Sequence, residues 1–384
     1  MYDLVIKGGV VVDPAQQISE KRDIAISGGR VEDVQTTISG GNAKKVLDAS
    51  GMLVTPGLVD LHVHTTYGLD RTGVDADRAC LLKGATTVMD AGTTGELLFP
   101  AFRRFILDNS RTRMFALINI ESLGMIQYTS VRDPRCDQRW DELTTAMNER
   151  YIAHFINVKN TVKTIRRNRP VLVGIKWAHH GLKGMALARR AADNAGCLLM
   201  IENRFMPDAL KYLRKGDVIT HTFGEYDNPK AGLLSLVENG KVKDGYFEAV
   251  KRGIKLDVGH GLGSFSWKMA EIAYREGLAP FSISTDLWVG NMAGPVIDLP
   301  TTMAKFLHLG MSIEDVILAS TWNPASLIQS KEKLGTLTPG ACADIALFKL
   351  KRGRFPLMDS SGKCRTVAKM PVPLHVVREG KVVL

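Results

Sequence analysis

Two histidines set two residues apart, His62 and His64, close the apolar run Val54-Thr-Pro-Gly-Leu-Val-Asp-Leu-His-Val-His64. Alternate residues of a strand share a face, so both imidazoles project the same way. A pair of neutral imidazoles at the end of an apolar strand is the start of a first-row transition-metal site, with zinc the commonest occupant. Leu58, Val59, Leu61 and Val63 surround the pair, and Pro56-Gly57 turns the chain into the strand. Further groups able to bind a metal or move a proton stand at the ends of later apolar runs: Lys176, Glu202, His221 and Asp286, with His260 just after another.

Those runs define the elements that must carry the site. Besides the His62/His64 segment they are Thr86–Asp90, Phe115–Ile120, Val171–Lys176, Cys197–Ile201, Val218–His221, Ile254–Val258 and Phe281–Asp286, each separated from the next by a longer helical stretch. Eight strands alternating with helices predict an α/β chain folded as a (β/α)8 TIM barrel, whose strand C-termini converge on the active site. Both ends of the chain read differently. Residues 1–55 and 335–384 are short strands punctuated by Gly-Gly and Ser-Gly-Gly steps, the grammar of tight hairpins. They are expected to pair as one small β-sandwich domain, with residues 56–334 forming the barrel.

The motifs Pro56-Gly-Leu-Val-Asp-Leu-His-Val-His64, Gly84-Ala-Thr-Thr-Val-Met-Asp-Ala-Gly92, Val173-Gly-Ile-Lys176, Ile219-Thr-His221, Asp257-Val-Gly-His-Gly261 and Ser282-Ile-Ser-Thr-Asp286 occur in this order. In them the chain resembles the amidohydrolase superfamily, within it the dihydroorotase-like group, and most closely a branch of bacterial amidohydrolases and deacetylases. The resemblance implies that His62, His64 and Asp286 hold one divalent metal and His221 a second. It also implies that Lys176 carries a carbamate bridging the two, since an ordinary lysine has no acceptor with which to ligate. Asp286 is then expected to take a proton from the attacking water and pass it to the leaving group. His260 is expected to hydrogen-bond the substrate or its oxyanion, or else to be a satisfied core histidine. His179 and His180, directly after the lysine strand, read as loop histidines. The chain departs from the resemblance at the end of the fifth barrel strand, where Glu202 stands in place of a histidine. Glu202 is expected to ligate the second metal, the alternative being a structural glutamate paired with Arg204. As a ligand it lowers the charge of the site and favours harder metals such as manganese.

The bulk properties bound the function. A length of 384 residues suits a barrel plus a smaller domain. The chain has 45% hydrophobic and 23% charged residues, no run long enough to span a membrane and no leader-like start, which is the profile of a cytoplasmic protein. Five scattered cysteines suggest neither a disulfide framework nor a thiolate metal site. The net charge of +10 is densest in Lys159–Arg169, where Val162 and Ile165 sit three apart as on a solvated amphipathic helix. Nothing marks a nucleic-acid module. The expected partners are a small, anionic substrate and further copies of the chain. The reading is a metal-dependent hydrolase that deacylates a small N-acyl or O-acyl carboxylic acid. Its rivals are hydrolysis of a cyclic amide, deamination of an amino-purine, and an inactive barrel serving as a binding partner. The first is disfavoured because Thr65-Thr66-Tyr67 follows His64 where a carboxylate-gripping arginine would be needed. The last is disfavoured because His62, His64 and Asp286 are all present.

Overall fold

A computed structural model describes residues 1–125, 155–179 and 181–384. His180 and Cys136 lie outside the described residues. Seven parallel strands form one curled sheet in chain order: Leu58–Val63, Ala85–Ala91, Arg113–Asn119, Leu172–Trp177, Leu198–Glu202, Val218–Thr220 and Lys255–Leu256. The eighth segment, 281–287, closes the sheet into a barrel by bonding to both edges. On one side Val258 N–H donates to Ser282 O (3.1 Å) and His260 N–H to Ser284 O (3.2 Å); on the other, Asp286 N–H donates to His62 O (2.6 Å) and His64 N–H to Leu287 O (3.0 Å). Side chains reinforce the seam, because Asp60 of the first strand accepts from both the backbone N–H and the hydroxyl of Thr285. The wall strands are apolar along most of their length because both faces are covered, one by the barrel interior and one by helices; every residue of Leu58–Val63 is buried.

The two ends of the chain share a second sheet. Ile345–Met358 runs antiparallel to Leu53–Pro56 on one side and to Cys364–Arg378 on the other, and Leu4–Asp13 joins Leu53–Pro56 to the strands Ile18–Ser27 and Arg30–Gln35. Leu4, Ile6, Ile24, Ile26, Ile345, Leu347 and Val377 form its separate apolar core. Between the third and fourth barrel strands, Val158–Arg167 is a helix capped by the Asn157 side chain, with Val162 and Ile165 buried and Lys159, Lys163, Arg166 and Arg167 exposed, as an amphipathic reading requires.

Lys305, on the helix Leu299–His308, ties the two sheets together. It is fully buried, and its three donors reach Pro295 O (2.9 Å), Met358 O (2.7 Å) at the end of the long hairpin strand, and His260 Nε2 (2.6 Å). Burial depresses its pKa to about 7, against the opposing pull of Asp359. An unfolded lysine titrates near ~10.4. Between these values the unfolded chain holds the extra proton, so stability rises with pH; below the folded value the burial penalty is present in full. Lys305→Met is expected to remove this rise, lowering the alkaline slope of unfolding free energy by up to about 1.4 kcal/mol per pH unit. Urea melts at a series of pH values measure it, and identical slopes would show that Lys305 titrates normally.

Candidate metal centre

The C-terminal ends of the barrel strands surround a cavity of about 410 Å³ that receives His62, His64, Lys176, Glu202, His221 and Asp286. His62 and His64 come from the first strand, Lys176 from the fourth, Glu202 from the end of the fifth, His221 from just past the sixth, and Asp286 from the eighth. The backbone there is forced: His221 and Asp286 both adopt positive φ (62° and 50°), which non-glycine residues hold only when the surroundings impose it. Two glycines make room. A Cβ on Gly92 would meet Lys176 Cβ at 2.5 Å, and one on Gly261 would meet Asp286 Oδ2 at 2.3 Å.

Each imidazole has its proton placed by a partner on the far side of the ring. Thr220 donates its hydroxyl to Asp257 (2.7 Å), so it can only accept from His62 Nδ1, 2.8 Å away. Thr93 likewise donates to Asp90 (2.9 Å) and accepts from His64 Nδ1 at 2.7 Å. His221 Nδ1 lies 2.7 Å from the carbonyl of Gly259, which can only accept. In all three rings Nδ1 bears the hydrogen, and Nε2 is turned to the cavity. A carboxylate or carbonyl behind an imidazole is the usual way a protein orients and strengthens a metal-binding histidine.

The free nitrogens converge on one carboxylate. Asp286 Oδ1 stands 3.0 Å from His64 Nε2 and 3.3 Å from His62 Nε2, and donor atoms of His62, His221 and Asp286 all lie within 4.8 Å of one another. Lys176 Nζ is 3.3 Å from His62 Nε2. Burial holds His62 well below its ordinary pKa, with Lys176, His221 and His64 adding to the effect, which keeps it in the neutral form that ligates. For His64, burial opposes the charged form, but the hydrogen bond and charge of Asp286, with Asp90, raise the pKa overall. The Asp286–His64 contact therefore favours a positive charge at this point, and a divalent ion competes with the proton for it. Imidazole nitrogens, a carboxylate oxygen and nearby buried charge make a donor set that fits zinc or a similar ion.

His260 is placed elsewhere. It is fully buried, stacked on Phe265 (centroids 4.6 Å apart), with Nδ1 2.9 Å from Gly261 O and Nε2 against Lys305. It is not among the residues that line the cavity, and the structure gives it the surroundings of a satisfied core histidine. Glu202 does line the cavity, and there it pairs with Arg204 (2.8 Å) and His179 (3.3 Å). Sequence reasoning gave no role to Thr93, Asp90, Thr220 and Asp257. Asp90 and Asp257 lie inside the quoted motifs at strand ends, which was the available signal.

Imidazole nitrogens gathered on a shared carboxylate, at the C-terminal rim of a β/α barrel, form a group that could hold a divalent metal. The amidohydrolase family matches residues 266–383. A deacetylase from Agrobacterium fabrum is 33% identical over 362 residues, covering 92% of this chain and 85% of its own. Among solved structures, a dihydroorotase (29% identity, TM-score 0.85) covers 100% of this chain and 98% of its own, and an adenine deaminase (30% identity, TM-score 0.84) covers 100% and 99%. The chain belongs to the amidohydrolase superfamily, in its dihydroorotase-like branch. It is accordingly a metal-dependent enzyme that hydrolyses carbon–nitrogen bonds in small molecules.

Replacing Thr220 with Val keeps the shape of the buried side chain but removes the acceptor for His62 Nδ1. We expect the loss of such an outer partner to weaken metal binding roughly 10- to 100-fold. Competition with a chelating dye measures it, and an unchanged affinity would show that His62 is oriented by other means.

Proposed function

We propose that the chain removes the acyl group of a small N-acyl or O-acyl carboxylic acid by hydrolysis, using zinc or a similar divalent ion held by His62, His64, His221 and Asp286. The observation that carries this reading is the position of Asp286 Oδ1 between His62 Nε2 and His64 Nε2. The bound ion would supply Lewis acidity, polarising the scissile carbonyl and lowering the pKa of water toward ~7. Asp286 accepts the proton of the attacking water and delivers it to the leaving nitrogen or oxygen, a transfer its place on the cavity wall allows. Tyr226 lines the same cavity, where its hydroxyl donates to the carbonyl of His221 at 3.4 Å.

Lys176 is the site of the proposed carbamate. It is 1% exposed, and burial lowers its pKa against the opposing charges of Glu202, Asp286, Asp257 and Asp90. A lowered pKa increases the neutral amine that reacts with carbon dioxide, and the product replaces a cation with an oxygen ligand. An anionic substrate suits the net charge of +10. The four free cysteines among the described residues suit the reducing cytoplasm. Deacylation is favoured over opening of a carboxylate-bearing ring because Thr65, Thr66 and Tyr67, directly after His64, offer no cation. Thr65 and Thr66 are buried, and Thr65 is bonded to Asp90.

Two measurements test this reading. Across a panel of N-acetyl and O-acetyl acids, metal-loaded enzyme is expected to release acetate, whereas release of ammonia from amino-purines with no acetate from the panel would contradict it. Lys176→Ala is expected to abolish turnover and to regain part of it with short carboxylic acids; full activity without them would remove the carbamate from the account.

A further inference from the structure

The wall of the cavity around Glu202 is built differently from the side that gathers the imidazoles. Glu202 is 4% exposed and its carboxylate is engaged at both oxygens. Oε2 accepts from Arg204 Nε at 2.8 Å and from the backbone N–H of His179 at 3.1 Å, while Oε1 lies 3.3 Å from His179 Nε2. Arg204 completes a ring. Its Nη2 lies 3.0 Å from His179 Nδ1, and its Nη1 donates to Ala231 O at 3.1 Å. A guanidinium can only donate, so His179 Nδ1 accepts and the imidazole proton sits on Nε2, facing Glu202. His179 holds a positive φ of 57°, a conformation that these contacts to its backbone and both ring nitrogens maintain. Burial disfavours the Glu202 carboxylate, yet His179 and Arg204, followed by His221 and Lys176, hold its pKa well below the usual range.

We infer that the site takes a single divalent ion, bound on the His62, His64 and Asp286 side, and that the Glu202–Arg204–His179 network occupies the wall where a second ion would need its ligands. The inference rests on the metal-dependent reading above and fixes its stoichiometry. To ligate a second ion, Glu202 would have to give up its charged bond to the guanidinium of Arg204, itself 4% exposed, and breaking a buried ion pair is among the costlier changes a protein interior can undergo. A dication beside that guanidinium would also meet repulsion little screened by water. His221 need not wait for a second ion, because its free nitrogen already belongs to the cluster formed with His62 and Asp286. Lys176, in contact with His62 Nε2, serves the same ion. Glu202 therefore acts as a positioning residue for Arg204 and His179.

Stripping the full-length protein with a chelator, reloading it with manganese and removing the excess gives the count directly. One ion per chain is expected, with the electron paramagnetic resonance hyperfine pattern of an isolated ion. Glu202→Gln is expected to keep that one ion. Two ions per chain with an exchange-coupled spectrum, or loss of metal in Glu202→Gln, would overturn the inference and leave the proposed deacylation intact. Absence of any retained metal together with undiminished hydrolysis would overturn both. Should Glu202→Gln fail to fold because the buried pair with Arg204 is broken, the spectrum of the wild-type protein decides the question alone.

Discussion

The site depends on where each imidazole keeps its proton. A histidine can ligate only through a nitrogen that has lost its hydrogen, and nothing in the ring itself decides which of the two that is. Here Thr220 and Thr93 decide for His62 and His64. Each spends its hydroxyl proton on a buried carboxylate, Asp257 or Asp90, and so must accept from Nδ1. His221 is set more simply, by the carbonyl of Gly259. The nitrogens that remain face Asp286 and Lys176 in the cavity at the barrel rim.

This arrangement needs the barrel to be closed. Asp257, after the seventh strand, accepts from Thr220 on the sixth and from Ser282 and Ser284 on the eighth, so one carboxylate registers three neighbouring segments. Asp60 joins two segments, the first and the eighth, at the opposite seam, where burial pushes it up to about 7 while Thr285 and the His62 N–H bond to it. Buried carboxylates are unfavourable unless hydrogen-bonded, and these are bonded several times over. The same bonds that repay their burial fix the positions of His62, His221 and Asp286. Stability and function thus draw on one set of contacts at the seams.

Much of this was legible in the chain. A period of two places His62 and His64 on one face, and apolar runs bounded by turn residues give the eight barrel strands to within a few residues, the irregular 281–287 segment included. The pairing of the chain ends followed from their shared hairpin grammar. Less legible was anything that depends on who faces whom across the barrel. Period-two patterning assigns a side chain to the interior without naming its partner. Hence Lys305 and His260, 45 residues apart, meet behind the site although neither suggested the other. His179 looked like a loop residue, and only the geometry of Arg204 and Glu202 shows how firmly it is held. The threonines that set the tautomers were hidden because strand threonines are common and their hydroxyl partners are distant in sequence.

The central claim is that the convergence of His62, His64, His221 and Asp286 exists to hold a divalent ion on which amide hydrolysis depends. Its most direct test is to follow metal content and hydrolysis of an N-acetyl acid together, through chelation and then readdition of zinc. The account predicts that both fall together on chelation and return together in proportion to the zinc restored. Hydrolysis that persists at its original rate in protein shown to be free of metal would contradict it.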